Sequence, residues 1–237
     1  MLASLLLVLP TVLFFASTGI ADVTFTSYYA GMVCCILLNS QRQDWPSLIC
    51  AAMLAAACAF TKIEGMPIVI IGALMVLLLS ALPWPASIAR SFLFVTIALI
   101  LLAPWYVWSH GFSRLDEDYQ LRLSSAVFRA NLVRIPVIFS SFLREFINFS
   151  DWGLFWIVLP IGAALGRHAF VSRRVQVLWA ALVAHFSIYV FAFFITHYDL
   201  AWQLKNSVSR LLIHLSPIAI LLLGYHWEAV ESAAGAE

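Results

Sequence analysis

Apolar residues run along this chain in long stretches that are separated by short polar gaps. About 20 apolar residues cover the hydrocarbon core of a bilayer, and fewer are enough where aromatic or polar side chains anchor the ends. Eight stretches are therefore predicted transmembrane helices: 1–17, 22–39, 45–60, 66–82, 91–108, 152–166, 175–197 and 208–225. The pattern predicts an all-α, polytopic membrane protein with one transmembrane domain over 1–237.

The composition supports a membrane location. Hydrophobic residues make up 63% of the chain and charged residues 11%, against about 25% charged residues in soluble domains. One soluble core could not bury this much apolar surface, so the lipid bilayer has to cover the rest. The net charge of +1 gives no indication of a nucleic-acid partner. The four cysteines lie inside apolar stretches without metal or redox spacing, and we interpret them as small buried hydrophobic residues.

The longest segment between predicted helices, 109–151, has a different pattern. In "RIPVIFSSFLREFINF" apolar residues recur at helical spacing, while Ser140, Ser141, Arg144 and Glu145 occupy the other face. The apolar face consists of Ile135, Ile138, Phe139, Phe142, Leu143, Phe146 and Ile147. This pattern predicts an amphipathic helix over 135–147 that lies in the membrane–water interface of an extracytoplasmic loop.

Consecutive membrane helices alternate in direction, so the gaps between them fall into two sets on opposite faces. The basic residues divide almost evenly between the sets, so their number alone does not show which set faces the cytoplasm. The dense cluster "GRHAFVSRR" at 166–174 indicates that its own set is the cytoplasmic one. Alternation then places six charged residues together on the other face: Asp22, Lys62, Glu64, Asp199, Lys205 and Arg210.

Asp22, Lys62 and Glu64 each have an ordinary structural interpretation beside a functional one. Asp22 in "ADVTF" is either an N-cap carboxylate or a group that faces a polar ligand. In "TKIEGMP", Lys62 and Glu64 are either solvated interface anchors or parts of a site, and Gly65 suits the end of the preceding helix.

Arg210 indicates an anion. "NSVSRLLIHLSP" predicts a helix that starts near Ser207, which puts Arg210 in its first turn, where a cation opposes the helix dipole. A phosphate bound at that helix end would compensate this charge. Tyr198 and Trp202, near the same face, are candidates for sugar contacts or for an interface belt. His185 is interpreted as a neutral, hydrogen-bonded core histidine, and no metal-binding or soluble-enzyme motif is visible.

The order of several segments resembles that of the GT-C membrane glycosyltransferases. "TGIADVTFTSYYAG" is similar to their "GYAD" helix start, "AFTKIEGMP" to their "LTKNEG" motif, and "LLAPWYVW" to the "PWY" segment before a large extracytoplasmic loop. "RIPVIFSSFLREFINFSDWGLFW" and "HYDLAWQLKNSVSRLLIHLSP" resemble the family's remaining loop and last helix. Within the family, the chain looks most like the bacterial protein-mannosyltransferase-like and lipid A aminoarabinose-transferase-like group.

This resemblance implies an inner-membrane enzyme that transfers a sugar from a polyprenyl-phosphate donor to a lipid, glycan or protein acceptor on the periplasmic side. It implies that Asp22, Lys62, Glu64 and Arg210 border the active site, with the two cations near the donor phosphate. No cofactor is implied, although the resemblance leaves a divalent metal open. The family's catalytic aspartate lies in a first loop that would precede Met1, so we expect an N-terminally truncated chain that lacks this base and is inactive alone, with Asp22 as the remaining candidate. A polytopic transporter, a channel or a non-catalytic membrane scaffold is the alternative.

Overall fold

The computed structural model describes residues 9–109 and 124–235, and within these ranges every regular element is a helix. The α-helices in chain order are α1 (Pro10–Ser17), α2 (Ala21–Arg42), α3 (Trp45–Thr61), α4 (Gly65–Leu79), α5 (Trp84–Ser109), α6 (Ser125–Asn131), α7 (Ile135–Phe146), α8 (Phe149–Trp152), α9 (Phe155–Leu165), α10 (Arg173–Ile195) and α11 (Leu200–Ala234). The 3-10 helices Leu132–Arg134 and Arg167–Val171 precede α7 and α10. The all-α class is as predicted.

Five helical stretches of the described chain are long and apolar enough to cross a membrane. They are Ala21–Arg42, Trp84–Ser109, Ser125–Phe146, Arg173–Ile195 and Leu200–Ala234. Helices α3, α4 and α9 are apolar but shorter, and the described part of the first predicted stretch forms only α1. The structure thus supports a membrane-embedded protein with several apolar helices.

Two helix starts differ from the prediction. Helix α5 begins at Trp84 rather than near residue 91, because Pro85 in "LPWP" occupies the first turn, where a proline is well tolerated. Helix α11 begins at Leu200 rather than near Ser207, because the Asp199 carboxylate caps it and accepts a hydrogen bond from the Trp202 N–H at 2.8 Å. The predicted position of Arg210 in a first helical turn is therefore wrong.

The centre of the bundle is formed by α2, which packs against α3, α4 and α11. The face of α3 toward the core consists of small residues, among them the fully buried Ala51, Ala52 and Ala55. Small side chains let helix backbones approach closely, and such residues are typical of helix contacts in membranes. Large apolar side chains such as Ile70, Phe92 and Ile100 stay exposed on the outer faces, as lipid contact requires.

A helix occupies most of the segment predicted to be amphipathic. On α7 the side chains of Ile138 and Phe142 are buried against the bundle, whereas Phe139 and Leu143 are exposed. One part of the apolar surface of this helix therefore packs against the bundle, and the other part faces outward. Residues 110–123 of the same predicted loop lie outside the described ranges.

Polar contacts join the loops that alternation assigns to the cytoplasmic face. The buried Arg90 on α5 donates to the side-chain and backbone oxygens of Gln43, at 3.2 and 2.5 Å, and its guanidinium lies 4.7 Å from the ring centre of Trp45. His226 on α11 contacts the Gly166 carbonyl oxygen at 2.9 Å. Within each pair the two segments lie at the same end of the bundle, as alternation predicts.

Candidate functional site

The "TKIEGMP" segment forms a tight turn between α3 and α4. Lys62 has an extended backbone and ends α3, and the Gly65 N–H donates to the Lys62 carbonyl oxygen at 2.9 Å. A Cβ atom on Gly65 would lie 2.3 Å from the backbone carbon and oxygen of Cys58. Gly65 therefore permits a close approach at the start of α4, and the prediction that it ends the preceding helix is wrong.

Asp22 is the common partner of the basic residues at this end of the bundle. Its side chain is fully buried in the first turn of α2. Its Oδ1 atom lies 2.5 Å from Lys62 Nζ, and its Oδ2 atom accepts hydrogen bonds from Arg210 Nε and Nη2 at 3.1 and 2.9 Å. A buried carboxylate requires this kind of compensation, because an unpaired charge inside a protein is very costly.

A histidine and a tyrosine complete the buried network. His214 Nε2 lies 3.0 Å from Asp22 Oδ1, and His214 Nδ1 lies 2.5 Å from the Tyr189 hydroxyl oxygen. A carboxylate can only accept, so His214 carries a hydrogen on Nε2, and in the neutral ring Nδ1 then accepts from the Tyr189 hydroxyl. His214 thereby links Asp22 to Tyr189.

A cavity of about 540 Å³ opens beside this network between α4, α10 and α11. Its wall includes the three ion-paired residues together with Glu64, Gln203, Ser207 and apolar residues of α10 such as Phe191 and Ala192. Glu64 forms no ion pair within the described residues, and Gln203 Oε1 is buried without a hydrogen-bond partner there. The cavity therefore presents cations at one side and unused hydrogen-bond acceptors at another.

The two cations keep unused hydrogen-bond donors. Lys62 has three N–H donors and uses one for Asp22, while Arg210 has five and uses two. Asp22 carries one negative charge against two positive charges, so these three residues together keep one excess positive charge. The side chain of Arg210 is 36% exposed and that of Lys62 is 14% exposed. An anion in the cavity can therefore reach both cations while Asp22 still holds them.

The structure brings four of the six predicted site residues together at this cavity, namely Asp22, Lys62, Glu64 and Arg210. Tyr198 and Trp202 do not line it, and both are exposed. The N-cap interpretation of Asp22 is wrong, because Ile20 occupies the cap position and no side-chain cap bond forms.

His185 lies in the core as predicted, but within the described structure neither of its ring nitrogens has a hydrogen-bond partner. His214 and Tyr189 are not among the residues predicted from sequence, although His214 follows Arg210 by four residues and so lies on the same helix face.

Among the described residues no group of three or more metal-ligating side chains could hold a metal ion. The arrangement can instead bind an anion through Lys62 and Arg210, and hydroxyl or amino groups through Glu64 and Gln203. Comparisons of the chain with protein-family models, with curated proteins and with solved structures find no match.

Proposed function

We propose that this protein is a glycosyltransferase-type membrane protein that binds a polyprenyl-phosphate sugar in the cavity beside Asp22. The observation that carries the proposal is the convergence of Lys62 and Arg210, 148 residues apart in the chain, on one buried carboxylate at the wall of this cavity. The order of segments that resembles GT-C enzymes adds the substrate class.

In this proposal Asp22 positions the two cations and their remaining donors bind the phosphate. A sugar phosphodiester carries one negative charge, which the remaining donors of Lys62 and Arg210 can bind. The Glu64 carboxylate on the same wall brings the four charged residues of the cavity to a net charge of zero, so the donors rather than the net charge hold the phosphate. In transfer, the anomeric carbon–oxygen bond to the phosphate breaks and the acceptor oxygen forms the new bond. Fixed donors stabilise the charge that develops on the leaving phosphate, most effectively in a cavity with little water. Glu64 and Gln203 face the sugar or the acceptor hydroxyl, and the base that takes the acceptor proton is not assigned to a residue of this chain.

The proposed membrane arrangement has eight spans, with Asp22 and the cavity toward the periplasm of a bacterial inner membrane. Helices α3, α4 and α9 cross as short spans anchored by residues of the adjoining turns. Ser125–Phe146 lies in the interface rather than across the bilayer, because Arg129, Arg134 and Arg144 are distributed along it and charges inside the hydrocarbon core are costly.

The test measures binding of a polyprenyl phosphate, with and without an attached hexose, to the 237-residue chain in detergent by native mass spectrometry. Loss of one charge-assisted contact to phosphate costs about 1.5–3 kcal/mol, or roughly ten- to a hundredfold in affinity. Lys62→Gln and Arg210→Gln should each weaken binding by such a factor. The double variant should lose less than the sum of the two, because the two cations share one phosphate.

Two matched variants serve as controls. Arg129→Gln removes an exposed cation that lies outside the cavity, and it should bind like the unaltered chain. Glu64→Gln should leave the affinity for the unsubstituted polyprenyl phosphate nearly intact. Equal affinities in the unaltered chain and in both cation variants would refute the proposal and favour a transporter or a scaffold.

A further inference from the structure

A second polar groove lies between α7 and α11, with a volume of about 420 Å³. Arg144, Ser141 and Glu145 line it from α7, and Lys205 and Ser209 line it from α11. It shares no residue with the cavity beside Asp22, because the α11 residues of the two sites lie on different faces of that helix. The groove is therefore a separate feature of the molecule.

The groove contains four side chains whose hydrogen-bond donors have no partner among the described residues. Arg144 and Lys205 are exposed and form no ion pair within the described chain. The hydroxyls of Ser141 and Ser209 form no hydrogen bond there either, whereas the neighbouring Ser140 hydroxyl donates to the Val137 carbonyl oxygen at 3.0 Å. Two cations and two hydroxyls thus line the groove from two helices and form no hydrogen bond or ion pair with a described residue.

The one acidic side chain in the groove already has a partner. Glu145 Oε1 accepts a hydrogen bond from the indole N–H of Trp152 at 3.0 Å. The groove therefore keeps a positive charge of one after Glu145 is counted, together with its four free donor side chains. Phosphate oxygens are the acceptors that such a set binds best, since charge-assisted hydrogen bonds are about twice as strong as neutral ones.

The apolar surface beside the groove indicates where this phosphate comes from. Val137 from α7 and Ala201 from α11 line the groove beside Arg144 and Lys205, and both are exposed. A phospholipid satisfies both features at once, because its acyl chains cover the apolar side chains and its headgroup reaches the cations. We propose that this groove binds the phosphate of an anionic phospholipid headgroup and thereby fixes α7 against α11 at the membrane surface.

The proposal is tested on the whole chain by native mass spectrometry with phosphatidylglycerol and phosphatidylcholine that carry identical acyl chains. We expect phosphatidylglycerol to be retained about tenfold better than phosphatidylcholine. Arg144→Gln and Lys205→Gln should each remove most of this preference. Arg144→Lys and Lys205→Arg should keep it, because they retain the charge.

Arg129→Gln is the matched control, since Arg129 is an exposed cation of the same segment outside the groove. A long basic side chain that only extends its charge to the interface would contribute at any of these positions. Equal losses in Arg129→Gln and Arg144→Gln would therefore overturn the proposal, as would equal retention of the two lipids by the unaltered chain. Displacement of phosphatidylglycerol by inorganic phosphate would also overturn it and would indicate a soluble ligand. Lys62→Gln should leave the lipid preference unchanged, so this test is independent of the proposed sugar-donor site.

Discussion

Replacing Asp22 by asparagine tests whether its carboxylate organises the end of the bundle. The change keeps the size of the side chain but removes the charge that holds Lys62 and Arg210 at 2.5 and 2.9 Å. Removing one partner of a buried ion pair costs about 3–5 kcal/mol, because the remaining charge stays uncompensated. Lys62 is 14% exposed and Arg210 is 36% exposed, so solvent screens part of this cost and we expect about 2–4 kcal/mol.

The expected loss of stability is large enough to measure by thermal unfolding of the purified protein, with intrinsic tryptophan fluorescence as the signal. For a chain of 150–250 residues, 1 kcal/mol shifts the unfolding midpoint by about 2–4 °C, so Asp22→Asn should lower it by roughly 5–15 °C. Asp44→Asn is the control, since Asp44 is a partly buried aspartate that forms no ion pair within the described chain. It should shift the midpoint by less than about 3 °C.

A double variant tests whether the destabilisation comes from the uncompensated charges rather than from altered packing. Adding Lys62→Met to Asp22→Asn removes one of the two uncompensated cations, so the double variant should be more stable than Asp22→Asn alone. The reasoning would be refuted if Asp22→Asn unfolded at the same temperature as Asp44→Asn. It would also fail if Lys62→Met lowered the midpoint equally with and without Asp22, because the two residues would then not interact.

Three further predictions concern the turn, the buried network and the membrane arrangement. Gly65→Ala should destabilise the fold by about 1–3 kcal/mol or more, because its Cβ would lie 2.3 Å from the Cys58 backbone. Gly235→Ala, whose Cβ would have its nearest neighbour at 3.6 Å, should be nearly neutral in the same unfolding assay. Tyr189→Phe leaves the buried His214 Nδ1 without its partner and should lower the free energy of unfolding by about 1–3 kcal/mol. Tyr225→Phe should leave it almost unchanged, because the Tyr225 hydroxyl has no hydrogen bond in the described structure. Single cysteines at Lys62 and Lys205, in a cysteine-free background, should react with an impermeant thiol reagent added from the periplasmic side. A single cysteine at Arg173 should not react. Labelling of positions 62 and 205 from opposite sides would contradict the eight-span arrangement.

The hydrophobic pattern was sufficient to predict the helical class and the approximate position of most helices. Burial in lipid needs continuous apolar stretches, and that requirement is local in sequence. Alternation of helix direction was also sufficient to predict that Asp22, Lys62, Glu64 and Arg210 share one end of the bundle. The start of α11 was predicted wrongly because apolar content was weighed above the Asp199 cap, although that cap can be recognised from sequence.

The tertiary structure alone decided what these charges do to one another. Sequence could place Asp22 in a first helical turn but could not show that Lys62, Arg210 and His214 all reach its carboxylate, because contacts over 40, 188 and 192 residues depend on how helices pack. For the same reason, Tyr198 and Trp202 were grouped with the site residues although they lie outside the wall of the cavity. Chain spacing determines which residues lie at one membrane face, whereas helix rotation and packing determine which of them touch.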